Sequence, residues 1–396
     1  MVVIIIIKDN ILINFSLSYE KFKYEFFEKK PLVIKGAIRN KDLLSWNEIN
    51  EIFPRCKLIG EEEIKVMYKG KKVPKEYYVE SYNDLGTLRY KFKEEELYCL
   101  MRDGATLIAN GIVNEPAIDI FSQEIAKFTK CHIFSSLYVA FNTQRSFKIH
   151  WDSRDIFAIQ MQGRKRWIIH SPTFKDPLFM HRSKDMPEYF PNKDDVYIDI
   201  LLEAGDILYL PRGWWHDPIP VGEETVHLAV GVFPPYTNDY LSWVTENIVK
   251  NEIARKSLSS SEKNDEIISL LSAEVADFIN NKDNFNIFLE SFYDKKRIEK
   301  SLNLEIFANH NFSEFKGNEK ISFPIKNDYY MKSNKVISNG YKISIEGKFK
   351  EILDCLYFSD LKSLEDLLLL AKENDRRDIK DLIWKLSFLG VLKIDN

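Results

Sequence analysis

The chain has 396 residues, of which 45% are hydrophobic and 29% charged, with a formal net charge of −4. That is room for two or three domains with ample core-forming material, and it carries no basic excess of the kind that marks a nucleic-acid surface. The four cysteines (Cys56, Cys99, Cys131, Cys355) are scattered, which argues against a disulfide frame or a Cys-based zinc site and fits a reducing cytoplasm.

The opening apolar run is too short for a signal segment and has no basic stretch before it. It reads as a strand, Val2 to Ile7, and nothing further on approaches a membrane span. Tyr19 to Lys30 is a short amphipathic helix with Phe22, Phe26 and Phe27 at helical spacing. Lys30-Pro31 ends it, and Leu32 to Gly36 is a strand closed by glycine. Helices are expected at Asp42 to Phe53, Lys91 to Met101 and Ala117 to Phe128, with a strand at Lys57 to Tyr68. From Ile133 the period changes to short β-rich runs: Ile133–Phe141, Phe147–Trp151, Ile156–Gln162, Arg166–His170, Tyr197–Leu202, Asp206–Leu210 and Val226–Phe233. Their spacing predicts an antiparallel barrel or sandwich. Arg182 to Asp195 is a polar insertion between two of them.

After Pro234-Pro235 the strands give way to helices at Tyr240–Ile253, Asp265–Asn280 and Phe285–Leu302. Their large apolar residues, Trp243, Ile248, Leu270, Leu271 and Phe278, fit packing against a second subunit or within the chain. The C-terminus reads as a strand (Tyr341–Ile345), three helices (Lys348–Phe358, Leu364–Lys372 capped by Ser363, Asp375–Leu389 closed by Gly390) and a strand (Val391–Ile394). That order resembles a winged helix. On the third helix Arg376, Arg377, Lys380 and Lys385 alternate with Asp375, Asp378 and Asp381, a mixed solvated face and not a DNA reader.

The chemistry gathers between Lys148 and His216. His150 and Asp152 stand two apart on an expected strand, so both side chains leave one face. A lone His-x-Asp is a common accident. It gains meaning with a third ligand, and His216 follows G-D-I-L-Y-L-P-R-G-W-W, where a strand is broken at a rigid corner. Two imidazoles and one carboxylate on one face of an octahedron leave three positions open, as in non-haem Fe(II) oxygenases. Lys165 is a separate clue. Alternation places it with Trp167 and Ile169 on a buried face, where an ammonium needs an anionic partner; snorkelling to water at the strand end is the alternative.

These residues resemble the JmjC-type 2-oxoglutarate oxygenases, most closely their ribosomal-oxygenase branch. The match runs through K-K-P-L-V-I-K-G at Lys29 to Gly36, H-W-D with I-F-A-I-Q-M-Q-G-R-K-R-W, and G-D-I-L-Y-L-P-R-G-W-W-H, and covers roughly residues 20 to 235. The resemblance implies an α+β chain with a double-stranded β-helix (the jelly-roll or cupin fold) over 1–235, a helical dimerisation segment over 236–312 and a winged-helix-like domain over 313–396. It implies Fe(II) held by His150, Asp152 and His216, with Lys165 on the far carboxylate of 2-oxoglutarate and Tyr138 and His227 on the cosubstrate side. Ser136 and Ala229 depart from the residues common in relatives. The implied reaction hydroxylates a side-chain carbon of a protein or peptide, a ribosomal protein or a precursor peptide of a natural product, in a cytoplasmic homodimer with no membrane or DNA partner. Two other classes share the triad: a non-catalytic metal-binding cupin acting as a sensor or DNA-associated regulator, and a metal-dependent isomerase or dioxygenase that uses no oxo acid. Lys165 separates these from the first reading.

Overall fold

The computed structural model describes residues 12–39, 43–58, 63–145, 147–192, 194–260, 264–295, 302–307, 318–324, 335–347, 349–358 and 362–395. The strand expected at Val2 to Ile7 lies outside them. The chain divides into two compact units, Met1–Phe233 and Pro234–Asn396.

The first unit is built on an antiparallel nine-stranded sheet. Its strands are β1 (Leu32–Ile34), β2 (Ile64–Tyr68), β3 (Lys71–Lys72), β6 (Thr106–Asn110), β7 (His132–Ala140), β8 (Asp155–His170), β9 (Val196–Leu202), β10 (Ile207–Leu210) and β11 (Trp215–Phe233); β4 (Val79–Asp84) and β5 (Thr87–Phe92) form a separate hairpin. The order is β1-β10-β8-β11-β7-β6-β2-β3, with β9 on the far half of β8. The long strands β8 and β11 pair along most of their length, with register shifts between Pro220 and Thr225 and between Val226 and His227. Bulges of this kind bend a sheet, so both strands pass from one wall of a jelly roll to the other.

Alternation along these strands separates two apolar layers. Phe157, Ile159, Tyr209, Leu228, Val230 and Val232 point outward into the larger core, against Phe22 of α1 (Tyr19–Glu25), Ile49 of α2 (Trp46–Arg55) and Phe121 and Ile125 of α4 (Pro116–Thr129). Ala158, Trp167, Ile169, Leu202, Leu208 and Leu210 point inward and line the barrel. The helices have local reasons for their bounds. Ser45 and Glu48 close a capping box on α2, while α4 begins on Pro116 and ends on left-handed Lys130.

The bend in β8 needs glycine. Gly163 has φ +61°, and a Cβ there would meet the Glu224 carbonyl oxygen at 1.7 Å. Gly163→Ala is therefore expected to cost about 3 kcal/mol or more, combining a left-handed backbone with a backbone clash, read as a lower urea midpoint at unchanged slope.

Several expected elements are corrected, these among them. The run Phe147–Trp151 is not a strand; His150 makes a single bridge to His216 and β8 starts only at Asp155. The helix expected from Lys91 begins at Glu94 as α3 (Glu94–Arg102), because Lys91 and Phe92 complete the hairpin. The third helix after the sheet stops at Asp294.

The second unit holds α5 (Thr237–Asn247), α6 (Asp265–Asn280) and α7 (Lys282–Asp294), then β12 (Lys320–Ser322), β13 (Lys335–Ser338), β14 (Tyr341–Ser344), α8 (Phe349–Phe358), β15 (Lys362–Ser363), α9 (Leu364–Leu369), α10 (Arg376–Phe388) and β16 (Lys393–Asp395). A core of Ile352, Leu353, Leu356, Leu364, Ile379, Ile383 and Leu386 joins α8, α9 and α10 to the sheet β15-β12-β16. Ser363 caps α9 by accepting from the Asp366 amide, and Gly390 follows α10 with φ +68°. No helix among the described residues is long and apolar enough to cross a membrane.

Candidate metal centre

His150, Asp152 and His216 converge, and their ligand atoms all lie within 4.8 Å of one another. Backbone contacts set this up. The amide of His216 donates to the His150 carbonyl at 2.7 Å, and the amide of His150 returns a bond to the His216 carbonyl at 3.1 Å. The Gly213 amide donates to the Asp152 carbonyl at 3.0 Å. The Pro211-Arg212-Gly213 corner and the His-x-Asp turn are thus locked to each other.

The side chains are oriented as metal donors. Nδ1 of His150 lies 2.9 Å from the Lys148 carbonyl oxygen, and Nδ1 of His216 lies 3.0 Å from that of Trp214. A carbonyl only accepts, so each Nδ1 carries the proton and each Nε2 keeps a free lone pair. His216 Nε2 stands 3.6 Å from Asp152 Oδ2. Burial, reinforced by His150, pushes the His216 imidazole down to about 4, so it is neutral at physiological pH. Burial alone would raise the Asp152 carboxyl, but His216, His150 and Arg154 hold it below the usual range. Two bare imidazole nitrogens and an ionised carboxylate fit a divalent transition cation.

Lys165 lies where alternation places it. It is 3% exposed, with Trp167 at 3% and Ile169 at 0%. Its Nζ approaches Nδ1 of His227 at 3.3 Å, and no carboxylate among the described residues meets it. Burial lowers the ammonium to about 7. Burial also drives His227 well below its ordinary value, with help from Lys165 and His216. Tyr138 stacks on His227 with centroids 4.5 Å apart and planes 12° apart. Its phenol is pushed up to about 12, chiefly by burial. The six singled-out residues thus form two adjoining groups, a donor triad and a buried Lys165–His227–Tyr138 patch. Ser136 and Ala229 face each other across β7 and β11, two pairs along from Tyr138 and His227.

Sequence reasoning missed the support beneath the corner. Asp155 is fully buried, accepts from the Tyr209 hydroxyl, and accepts from the Arg212 amide at 3.0 Å. The Tyr209 oxygen accepts in turn from the Glu28 amide at 2.8 Å, and Arg212 Nη2 reaches Glu28 Oε1 at 3.1 Å. Parity was the available signal, since Asp155, Phe157 and Ile159 share the core-facing side. Burial, eased by Tyr209 and Arg212, pushes the Asp155 carboxyl up to about 7. A raised folded value means that this group's stabilisation is lost as pH climbs towards about 7. Tyr209→Phe removes the donor and is expected to cost about 2 kcal/mol. Denaturant titrations should show a larger deficit above pH 7 than at about pH 5, where folded Asp155 is already protonated.

The insertion after β8 packs on the outer side of the ligand turns. Phe174 stacks on Trp151 at 5.9 Å, Phe190 meets Trp215 at 4.9 Å, and Trp215 Nε1 donates to Thr173 Oγ1 at 2.8 Å.

Residues 108–240 match the family model of the JmjC domain. A bifunctional lysine-specific demethylase and histidyl-hydroxylase NO66 from Aedes aegypti is 26% identical over 222 residues, which is 54% of this chain and 33% of that protein. Its counterpart from Drosophila melanogaster is 32% identical over 111 residues, 28% of this chain and 17% of that one. The chain thus matches about a third or less of the length of these curated relatives. Among solved structures, the ribosomal oxygenase YcfD from Escherichia coli superposes with a TM-score of 0.61 at 17% identity, over 98% of this chain and 100% of that one. YcfD in complex with cobalt and 2-oxoglutarate superposes with a TM-score of 0.59 at 17% identity, over 96% and 99%. This likeness is one of fold, and it makes the first unit a JmjC/cupin jelly roll.

Proposed function

We propose that this chain, which carries a JmjC domain over residues 108–240, is an Fe(II)- and 2-oxoglutarate-dependent oxygenase that hydroxylates a side-chain carbon of a protein or peptide. The observation that carries the reading is the pairing of a two-His, one-carboxylate donor set with a buried lysine that no carboxylate among the described residues meets. A sensor or an isomerase has use for the first and none for the second. The names of the matched proteins, a histidyl-hydroxylase and a ribosomal oxygenase, support a protein substrate.

His150, Asp152 and His216 would hold the cation. When bound, Fe(II) with 2-oxoglutarate and O₂ supplies the oxidising chemistry: the oxo acid leaves as succinate and CO₂, and one oxygen atom enters a substrate C–H bond. The chain's own residues do the rest. The carbonyls of Lys148 and Trp214 keep both imidazoles in the donor tautomer. Lys165 receives the far carboxylate of the cosubstrate, with His227 and Tyr138 flanking it. The apolar lining of Trp167, Ile169, Leu202 and Leu208 excludes water, which strengthens that ion pair.

The domain reading is 1–235 catalytic, 236–312 helical and 313–396 winged-helix-like. Three helices against a small sheet support the last of these. Helix α6 supports a homodimer, because none of its residues is buried and Ile268 and Leu270 stand open. A cytoplasmic setting fits the four free cysteines.

The test compares ribosomal proteins and peptides by mass spectrometry from cells with the gene present and deleted. A gain of one oxygen atom on a defined residue, only when the gene is present, is expected. No oxidised species, together with no succinate from the purified Fe(II)-loaded protein, sinks the reading.

A further inference from the structure

Arg154 sits two residues beyond Asp152 and plays no part in the scheme above. Its guanidinium carbon lies 5.1 Å from the ring centroid of Phe134 and 5.6 Å from that of Phe233. Its stem runs over Gly231, where a Cβ would meet Arg154 Cδ at 2.9 Å and Nε at 3.2 Å. Glycine at that point of β11 leaves the room the arginine occupies. Two aromatic rings therefore hold the cation by cation–π contact. Its edge, with five N–H donors in a planar fork, meets no hydrogen-bond or ion-pair partner among the described residues.

The position is specific. His227, Ala229, Gly231 and Phe233 alternate onto one face of β11, and Tyr138, Ser136 and Phe134 face them in register from β7. This is the face that carries the His227–Tyr138 stack. Lys165 reaches it at His227. Arg154 reaches it at Gly231 and Phe233, at least four residues and about 13 Å further along. The two cations thus enter this face at different points, Lys165 beside His227 and Arg154 beside Gly231 and Phe233. Arg154 is also close enough to Asp152 to favour its ionised form. Once a dication occupies the donor set, that carboxylate is matched, and the half-buried guanidinium beside it is left open to an anion from outside the chain.

We propose that Arg154 is a specificity-determining residue that takes a carboxylate of the substrate, so that the enzyme selects an Asp or Glu side chain within about three residues of the carbon it hydroxylates. This rests on the oxygenase reading above. Arg154 stands two residues from the ligand Asp152, so its Cα lies no more than about 7 Å from that ligand's, and a carboxylate within about three residues, about 10 Å, of the hydroxylated carbon comes within its reach. The fork matches a carboxylate through two parallel bonds, which lysine cannot reproduce.

The Fe(II)-loaded full chain is given 2-oxoglutarate, isotopically heavy O₂ and a randomised short-peptide library, and the labelled peptides are sequenced by mass spectrometry. The wild type is expected to enrich Asp or Glu at one fixed offset from the labelled residue, about tenfold or more over the library. Arg154→Gln flattens that position, and Arg154→Glu inverts it to Lys or Arg, which a purely structural role would not produce. An acidic preference that survives unchanged in both variants overturns the proposal, as does a wild type with no charge preference. A raised 2-oxoglutarate requirement in Arg154→Gln with unchanged peptide selection also overturns it and assigns the residue to the cosubstrate. Wild-type succinate with no labelled peptide overturns the proposal alone, and no succinate at all overturns the oxygenase reading and the proposal with it.

Discussion

His216→Ala is expected to weaken Co(II) binding at least about a hundredfold and to abolish succinate formation with Fe(II). The magnitude follows from the donor set. Losing an outer partner of a ligating histidine typically costs about ten- to a hundredfold in metal affinity, and loss of the ligand itself costs no less. His216 is also the one buried member, 5% exposed, and water cannot easily take its place. Its backbone bonds to His150 remain available to alanine, so the turn itself keeps its anchor. The ligand-field absorption of Co(II) reads binding without any turnover, which separates loss of metal from loss of chemistry. Asp152→Asn is expected to behave similarly, because the amide keeps the shape and loses the charge. His181→Ala is the control. His181 is held in the insertion by the Leu178 amide at 2.9 Å and by Phe174, outside the cluster. If His216→Ala titrates with Co(II) like the wild type, the metal centre is elsewhere.

The two histidines and the aspartate were readable as chemistry, but not their local structure. A spacing of two would put His150 and Asp152 on one face of a strand, and their donor atoms do converge. Yet the segment is a turn clipped to His216 by two amide bonds. That clip is a long-range pairing, and no local periodicity reports it. Lys165 was legible because a half-buried strand obeys strict alternation, and Trp167 and Ile169 fixed the parity. The hairpin of β4 and β5 was not, because Glu80, Ser81, Tyr82 and Asn83 on one strand and Thr87, Leu88 and Arg89 on the other are all exposed, so no apolar face announces a strand. Asp155 and Arg154 were hidden for opposite reasons. The first reads as a polar strand start and turns out to be the buried acceptor for Tyr209. The second reads as a surface charge until Phe134, Gly231 and Phe233, from distant strands, close around it.

Lys165→Ala is expected to raise the 2-oxoglutarate requirement about thirtyfold or more, while the Co(II) affinity changes little. Removing one partner of a buried, hydrogen-bonded charge pair costs about 2–5 kcal/mol, and the lower end already corresponds to that factor. The two readouts differ because Lys165 meets His227 and not the donor triad. The wild type should also show a proton signature. Burial places the free ammonium at about 7, far below the ordinary lysine value of 10.5. Below about 7 the folded protein already holds this proton, and binding takes up none. Above it the side chain is neutral in the free protein, and the incoming carboxylate restores the charge by drawing a proton from solution. Cosubstrate affinity is therefore expected to fall as pH rises from about 7, by up to about tenfold per unit. Calorimetry at about pH 8 in buffers of different ionisation enthalpy should report uptake approaching one proton. Lys165→Ala should lose that uptake along with the affinity. An uptake that persists in the variant would assign the proton to another group and remove Lys165 as the carboxylate's partner.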